Sequence, residues 1–434
     1  MFELVNPEIG FTSSVIRDPR RFVGRADLIQ SCMNALNANE GLIAVYGKRG
    51  VGKSSLLRQI QQMANGNYDI AQKAGLAHLM PKQPRRYYTV YYACDSNIAN
   101  TDDLVRRLCN DTDPEDGLLR LVPDQGKKLV EFSRSDEASV GMDLKLVQWG
   151  AKGSDVQKYG SVVPNDVVQS FRNFVSGALD ANNRVWTKRD ALLLLLDEFD
   201  VIRNKDGLGS LIKSLTSPTV KFGVCGIGQD LGALISDHKS VARLIEQGAI
   251  YVKPMSPNET REIFATAEVL FKGKIKFDRK VVDQIVDLSE GFPYFAQLIG
   301  KSSVQYGNEV GTNDIDAKIF GEVLDKIRSG KSFPNLEDQY QLAIGNSKER
   351  AMLLVLLAEQ QSEATLYNED IGNVVLQKTR STAQGLGIEY VDQLMPRLVE
   401  ERYGPALVKH GDRRGVYDFA DPVFRAYVRL RKLD

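Results

Sequence analysis

The sequence predicts an α/β fold: a parallel sheet with helices on both faces, then an all-α segment and a C-terminal winged-helix domain. Three observations lead there. Short apolar runs alternate with helical patterns through the first half, the signature of parallel strands joined by crossover helices. The first of these runs enters a glycine-rich loop that opens a helix. Past Pro254 the apolar spacing turns helical throughout.

Each element has its own warrant. Residues 41–46 (Gly-Leu-Ile-Ala-Val-Tyr) read as a buried strand. Residues 53–63 read as a helix with Leu56, Leu57 and Ile60 inward. Residues 87–93 are aromatic and β-branched and form a second strand. Residues 191–196, 221–225 and 249–252 supply three more. Val167, Phe171 and Phe174 recur at helical spacing before the leucine run. Residues 111–160 are polar, break the rhythm and read as an insertion at the sheet edge.

The rest divides into smaller parts. Residues 1–20 read as an irregular arm, 21–254 as the α/β core, 255–330 as a helical domain and 335–434 as the winged-helix domain. Ser256-Pro257-Asn258-Glu259 predicts a capping box with proline at the first helical position. Asp278 is placed to cap the next helix, Gly291 to end it and Pro293 to start another. Ser332 to Asn335 reads as a linker. Helices are then expected over 349–359, 368–376 and 388–401, the last shortened or kinked at Pro396. A hairpin follows, 406–409 and 416–419 around a turn, and a final helix from Pro422.

Bulk composition excludes several classes. At 434 residues the chain can bury sizeable cores. A formal net charge of zero gives no global basic field for nucleic acid or an acidic membrane. Cys32, Cys94, Cys109 and Cys225 are scattered, as in a protein of the reducing cytoplasm. The apolar runs are too short to span a bilayer, and residues 1–10 lack a signal-peptide profile. Three histidines leave little room for histidine chemistry.

Two motifs carry chemistry. The first is Gly47-Lys48-Arg49-Gly50-Val51-Gly52-Lys53-Ser54, followed by Ser55. Its glycines let backbone N–H groups wrap an anion, and the following helix adds its positive end. Lys53 is placed for the β- and γ-phosphates and Ser54 for Mg²⁺. Lys48 and Arg49 read as solvated loop charges. The second motif is Leu192 to Leu196 running into Asp197 and Glu198. A strand ending in Asp197 sets that carboxylate at the sheet's C-terminal edge, where ligands bind. Asp197 is expected to hold the Mg²⁺ water shell, and Glu198 to deprotonate the attacking water.

With both motifs placed, the chain resembles the AAA+ and STAND branch of P-loop ATPases, near the replication-initiator and transposition ATPases. The resemblance implies ATP and ADP as ligands with Mg²⁺, and a P-loop core, helical lid and winged helix. It also implies roles for further residues. Gly47, Gly50, Val51, Gly52, Lys53, Ser54 and Ser55 would bind nucleotide. Phe22 and Val23 lie in a Phe-x-Gly-Arg box that lines the adenine pocket. Gln229 stands where the family keeps a γ-phosphate sensor, and Arg243 where it keeps an arginine finger. A solvated helix arginine is the plain alternative for Arg243. Gly291-Phe292-Pro293 matches the lid's Gly-x-Pro signature, with Pro293 at the nucleotide. The lid helix lacks the sensor arginine of many AAA+ relatives, which favours a slow switch. His410, with Asp412, falls in the predicted wing and reads as a solvated turn.

The function expected is a slow Mg²⁺-dependent ATPase switch, regulatory in defence against phage or in signalling. ATP binding would drive homo-oligomer formation, and the effector would be a separate chain. A DNA-associated loader or transposition ATPase is the alternative. The presumed third helix of the winged-helix domain is acidic, while Lys409, Arg413, Arg414, Arg425, Arg429 and Lys432 are basic. DNA therefore stays open as a partner, and a membrane does not.

Overall fold

The computed structural model describes residues 2–121, 132–134, 142–144, 175, 189–226, 241–359, 391–409 and 417–431. They form two compact units. One comprises Ile16–Gly47 and Lys53–Val252; the other comprises Met1–Val15, Lys48–Gly52 and Lys253–Asp434.

The first unit is a parallel sheet flanked by helices. Its strands are β1 (Leu42–Tyr46) and β2 (Tyr87–Ala93), then, past an antiparallel pair of β3 (Phe132–Arg134) and β4 (Met142–Leu144), β5 (Ala191–Asp197), β6 (Val220–Gly226) and β7 (Ala249–Tyr251). The order across the sheet is β2-β5-β6-β1-β7. The leucine strand β5 is buried along its whole length, between β2 and β6. Each fully buried leucine contributes about 2 kcal/mol, so an unbroken apolar run is what this position selects. Register sets Ala93 opposite Asp197, so both chains end together at the C-terminal edge. The helices Ala26–Asn37 and Lys53–Ala64 and the shorter Asp69–Lys73, Thr101–Cys109, Leu208–Leu215 and Val241–Glu246 complete the unit. The expected helix around Val167, Phe171 and Phe174 lies outside the described residues.

The second unit is mainly helical. Pro257–Leu270 opens on the capping box: Glu259 N–H donates to Ser256 Oγ at 3.3 Å, and Ser256 N–H to Glu259 Oε2 at 2.8 Å. Asp278 stands at the cap of Arg279–Ser289 but makes no side-chain capping bond. That helix ends on Glu290 and Gly291, both left-handed, and Pro293 opens Pro293–Val310. Ala317–Arg328 follows. The unit is not wholly helical: β8 (Lys276–Phe277) and β9 (Asp314–Ile315) pair in parallel, too short for periodicity to reveal.

The arm is structural. Phe11 has no exposure and meets Phe264 and Phe277 at ring distances of 5.3 and 5.7 Å. Gly300 admits it, since a Cβ there would lie 2.4 Å from the Phe11 ring. Nor is Ser332 to Asn335 a free linker, because Phe333 is buried and Pro334 opens Pro334–Ile344 at once.

Lys348–Glu359, Val391–Arg397, the antiparallel pair β10 (Leu407–Lys409) and β11 (Tyr417–Phe419), and Pro422–Arg429 complete the chain. The helix expected to reach residue 401 stops at Arg397, one residue after Pro396, which has no N–H to give. The expected helix at 368–376 and the turn holding His410, Arg413 and Arg414 lie outside the described residues, as does Lys432.

Candidate functional site

The site grows from the exit of β1. Gly50 and Gly52 take φ of 73° and 98°, which a side chain would resist. The helix Lys53–Ala64 starts there, so its N-terminal N–H groups head the loop. Ser54 donates its hydroxyl to Asp197 Oδ1 at 3.2 Å, across 143 residues of sequence. Sheet register holds Asp197, and its carboxylate is almost wholly buried.

Asp197 is satisfied by neutral donors. Oδ1 also accepts the Glu198 N–H at 2.9 Å, and Oδ2 accepts the Tyr91 hydroxyl. The Cys225 thiol hydrogen-bonds it as well. Burial first, then the Asp197 charge, holds that thiol well above its ordinary value, while Lys53 pulls the other way. A carboxylate beside a hydroxyl is a hard oxygen pair, and that donor chemistry fits Mg²⁺. Among the described residues no group of three or more His, Cys, Asp or Glu side chains could hold a metal. Phosphate and water oxygens would complete such a shell, the usual arrangement for magnesium.

Glu198 is exposed and left-handed, with φ of 53°. That conformation costs a non-glycine residue about 1–2 kcal/mol and clusters at working sites. Ser55, a candidate nucleotide contact, instead has its Oγ accepting the Ile16 N–H at 3.0 Å. Val51 is buried. Phe22 and Val23 are buried in the sheet unit, where Lys73 Nζ donates to the Phe22 carbonyl at 2.7 Å. Arg243 is exposed on the helix Val241–Glu246. Gln229 lies outside the described residues.

Residues Lys48–Gly52 belong to the helical unit, and there the loop charges find partners. Lys48 Nζ sits 2.9 Å from Asp418 Oδ2, and Arg49 Nε 3.9 Å from Asp421 Oδ2. Lys48 is therefore ion-paired, not simply solvated. A Cβ on Gly50 would lie 2.7 Å from Val423 Cγ2, and one on Gly52 3.6 Å from Pro293 Cγ.

The closing arginines also depart from expectation. Arg425 is buried and donates to Glu290 Oε2 at 2.8 Å, while Arg429 donates to Glu290 Oε1 at 2.8 Å. Burial pushes the Glu290 carboxyl above its ordinary range, although both arginines oppose this.

Sequence reasoning missed Tyr91, Cys225 and Asp418. Tyr91 carried a usable signal: Tyr87, Thr89, Tyr91 and Ala93 share one strand face. A hydroxyl on that face, beside a strand ending in aspartate, needs an acceptor.

A family model described as Novel STAND NTPase 1 matches residues 10–293. No curated protein matches the chain. Among solved structures it is similar to a Walker-type ATPase of Pyrococcus abyssi, at 15% identity and TM-score 0.46, covering 96% of this chain and 99% of that one. It is similar to Cdc6p from Pyrobaculum aerophilum, at 12% and 0.44, covering 98% and 97%. It is similar to the ORC1 protein of Aeropyrum pernix in complex with DNA, at 13% and 0.45, covering 97% and 96%. The family match takes in the glycine loop, the leucine strand and the acidic pair, and covers well over half of the 434 residues. The chain belongs to the Novel STAND NTPase 1 family and is a STAND NTPase.

Proposed function

We propose that this NTPase is a magnesium-dependent ATP-binding and ATP-hydrolysing switch. It would change its domain arrangement, and its oligomeric or partner state, with the nucleotide held. Its setting would be regulatory, such as defence against phage or signalling. The observation that carries the reading is the 3.2 Å contact between Ser54 Oγ and Asp197 Oδ1 at the head of the loop helix.

Lys53 and the loop amides hold the β- and γ-phosphates. Ser54 and Asp197 hold the magnesium, which when bound neutralises charge developing on the phosphate oxygens. Glu198 orients the attacking water and accepts its proton. Gln229 reports the γ-phosphate, Arg243 reaches a neighbouring copy's nucleotide, and Phe22, Val23 and Pro293 contact the nucleotide. Pairing of Lys48 with Asp418 supports a switch, because a basic loop residue is tied to an acid far along the chain.

Hydrolysis by three proteins tests this. Glu198→Gln should keep ATP binding and lower kcat by about 10²–10⁴-fold. Lys53→Ala should weaken ATP binding itself. Equal turnover by wild type and Glu198→Gln would overturn the assignment. The DNA-associated alternative draws less support, since Arg425 and Arg429 are engaged with Glu290. DNA-stimulated hydrolysis with a steep salt dependence would restore it.

A further inference from the structure

A chain of buried polar groups runs from the loop helix to the far side of Asp197. Arg58, one turn beyond Ser54, is buried and lies with its guanidinium carbon 3.3 Å from the Tyr91 ring centroid. Its Nη1 donates to Asp116 Oδ2 at 2.7 Å and to Gln61 Oε1 at 2.8 Å. Gln61 Nε2 donates to Asp116 Oδ1 at 2.6 Å, and the Tyr91 N–H donates to the Asp116 carbonyl at 3.1 Å. The ring is thus fixed by a cation on one face and by its own backbone on the edge strand β2. Its hydroxyl then has one described acceptor, Asp197 Oδ2.

The energetics point away from a purely structural origin. A buried arginine–carboxylate pair is often no more stabilising than well-packed apolar groups of the same volume. Here it sets the angle of a single phenol. The Tyr91 hydroxyl donates to Asp197 Oδ2, while Oδ1 accepts from Ser54 and the Glu198 N–H.

We infer that Tyr91 is a positioning residue for the magnesium site: its hydroxyl fixes the rotation of the Asp197 carboxylate so that Oδ1, beside Ser54, is the oxygen offered to the metal shell. Arg58 acts one step further out by fixing the ring. The inference rests on the proposed magnesium role of Ser54 and Asp197.

Partners of this kind are worth about 10–100-fold in metal affinity. Removing the donor also leaves more charge on the carboxylate, which alone would tighten metal binding, so the sign of the effect is diagnostic. Binding of a fluorescent non-hydrolysable ATP analogue is measured while Mg²⁺ is titrated. In Tyr91→Phe the Mg²⁺ midpoint should rise about tenfold, with binding in EDTA unchanged. Tyr88→Phe, on the opposite face of β2, should leave the midpoint alone. Arg58→Lys keeps the charge and loses the planar stack; its midpoint should rise about twofold to threefold, and it decides alone if Tyr91→Phe does not fold. A Tyr91→Phe midpoint equal to or below wild type overturns the inference, as does an equal shift in EDTA. Wild-type binding indifferent to Mg²⁺ would instead overturn the magnesium reading itself.

Discussion

At Glu198 the chain departs from its easiest conformation. Its left-handed backbone, φ 53°, follows a fully extended buried strand and turns the chain at the sheet edge. Glycine would adopt it without steric cost. Glu198→Gly is therefore expected to raise stability by about 0.5–1 kcal/mol while hydrolysis falls as far as in Glu198→Gln. Thermal melting without nucleotide, beside a turnover assay, checks both, and a destabilised variant would show the turn is not strained. The acidic pair was legible because composition and spacing both mark it. The torsion angle was not, since nothing in a glutamate signals positive φ. Ser55 shows the opposite limit: a hydroxyl inside the motif turns to the Ile16 N–H because backbone groups compete for side-chain acceptors.

Among elements, the sheet was legible nearly to the residue. Strands β1, β5 and β6 are apolar runs closed by glycine or an acid, and burial on both faces permits little else. Less visible were features that need tertiary partners. Lys221, inside β6, is buried, and its ammonium donates to the carbonyls of Ala35 and Ala38 at 2.7 Å each, at the end of the helix Ala26–Asn37. Burial, helped by Arg85, pushes it down to about 8. The two carbonyls favour the charged form, so desolvation wins over capping here. Between pH 8 and its ordinary value of 10.5 the unfolded chain holds the extra proton, and stability rises with pH across that window. Lys221→Met should lose this slope. Near neutral pH it should cost about 1–3 kcal/mol, from two carbonyls left unpaired. Denaturant melts from pH 7 to pH 10 read both effects, and a retained slope would contradict the assignment. The pairing of β8 with β9 was hidden for a simpler reason, since two-residue strands have no period, whereas Pro396 did signal the shortened helix that stops at Arg397.

Across the whole molecule, the sequence indicated a nucleotide-binding core followed by helices, and left unseen that Lys48 pairs with an acid 370 residues away. Charges that look solvated in a loop acquire partners only when a distant segment arrives. The Lys48–Asp418 pair is partly exposed, so its contribution to stability should stay below about 1 kcal/mol. Its effect on nucleotide is expected to be larger in proportion. Asp418→Asn removes a negative charge beside the loop and should tighten ATP binding by about threefold at low salt, with the gain shrinking as salt rises. Equal affinity across the salt series would remove Asp418 from the switch. On the reading proposed above, Lys53, Ser54 and Asp197 grip a magnesium-bound triphosphate. Equilibrium binding of a fluorescent ATP analogue to wild type and Lys53→Ala, each with Mg²⁺ and with EDTA, tests it most directly. Tight binding by wild type with Mg²⁺, weaker binding in EDTA, and a large loss in Lys53→Ala are expected. Equal binding by the two proteins under both conditions would contradict it.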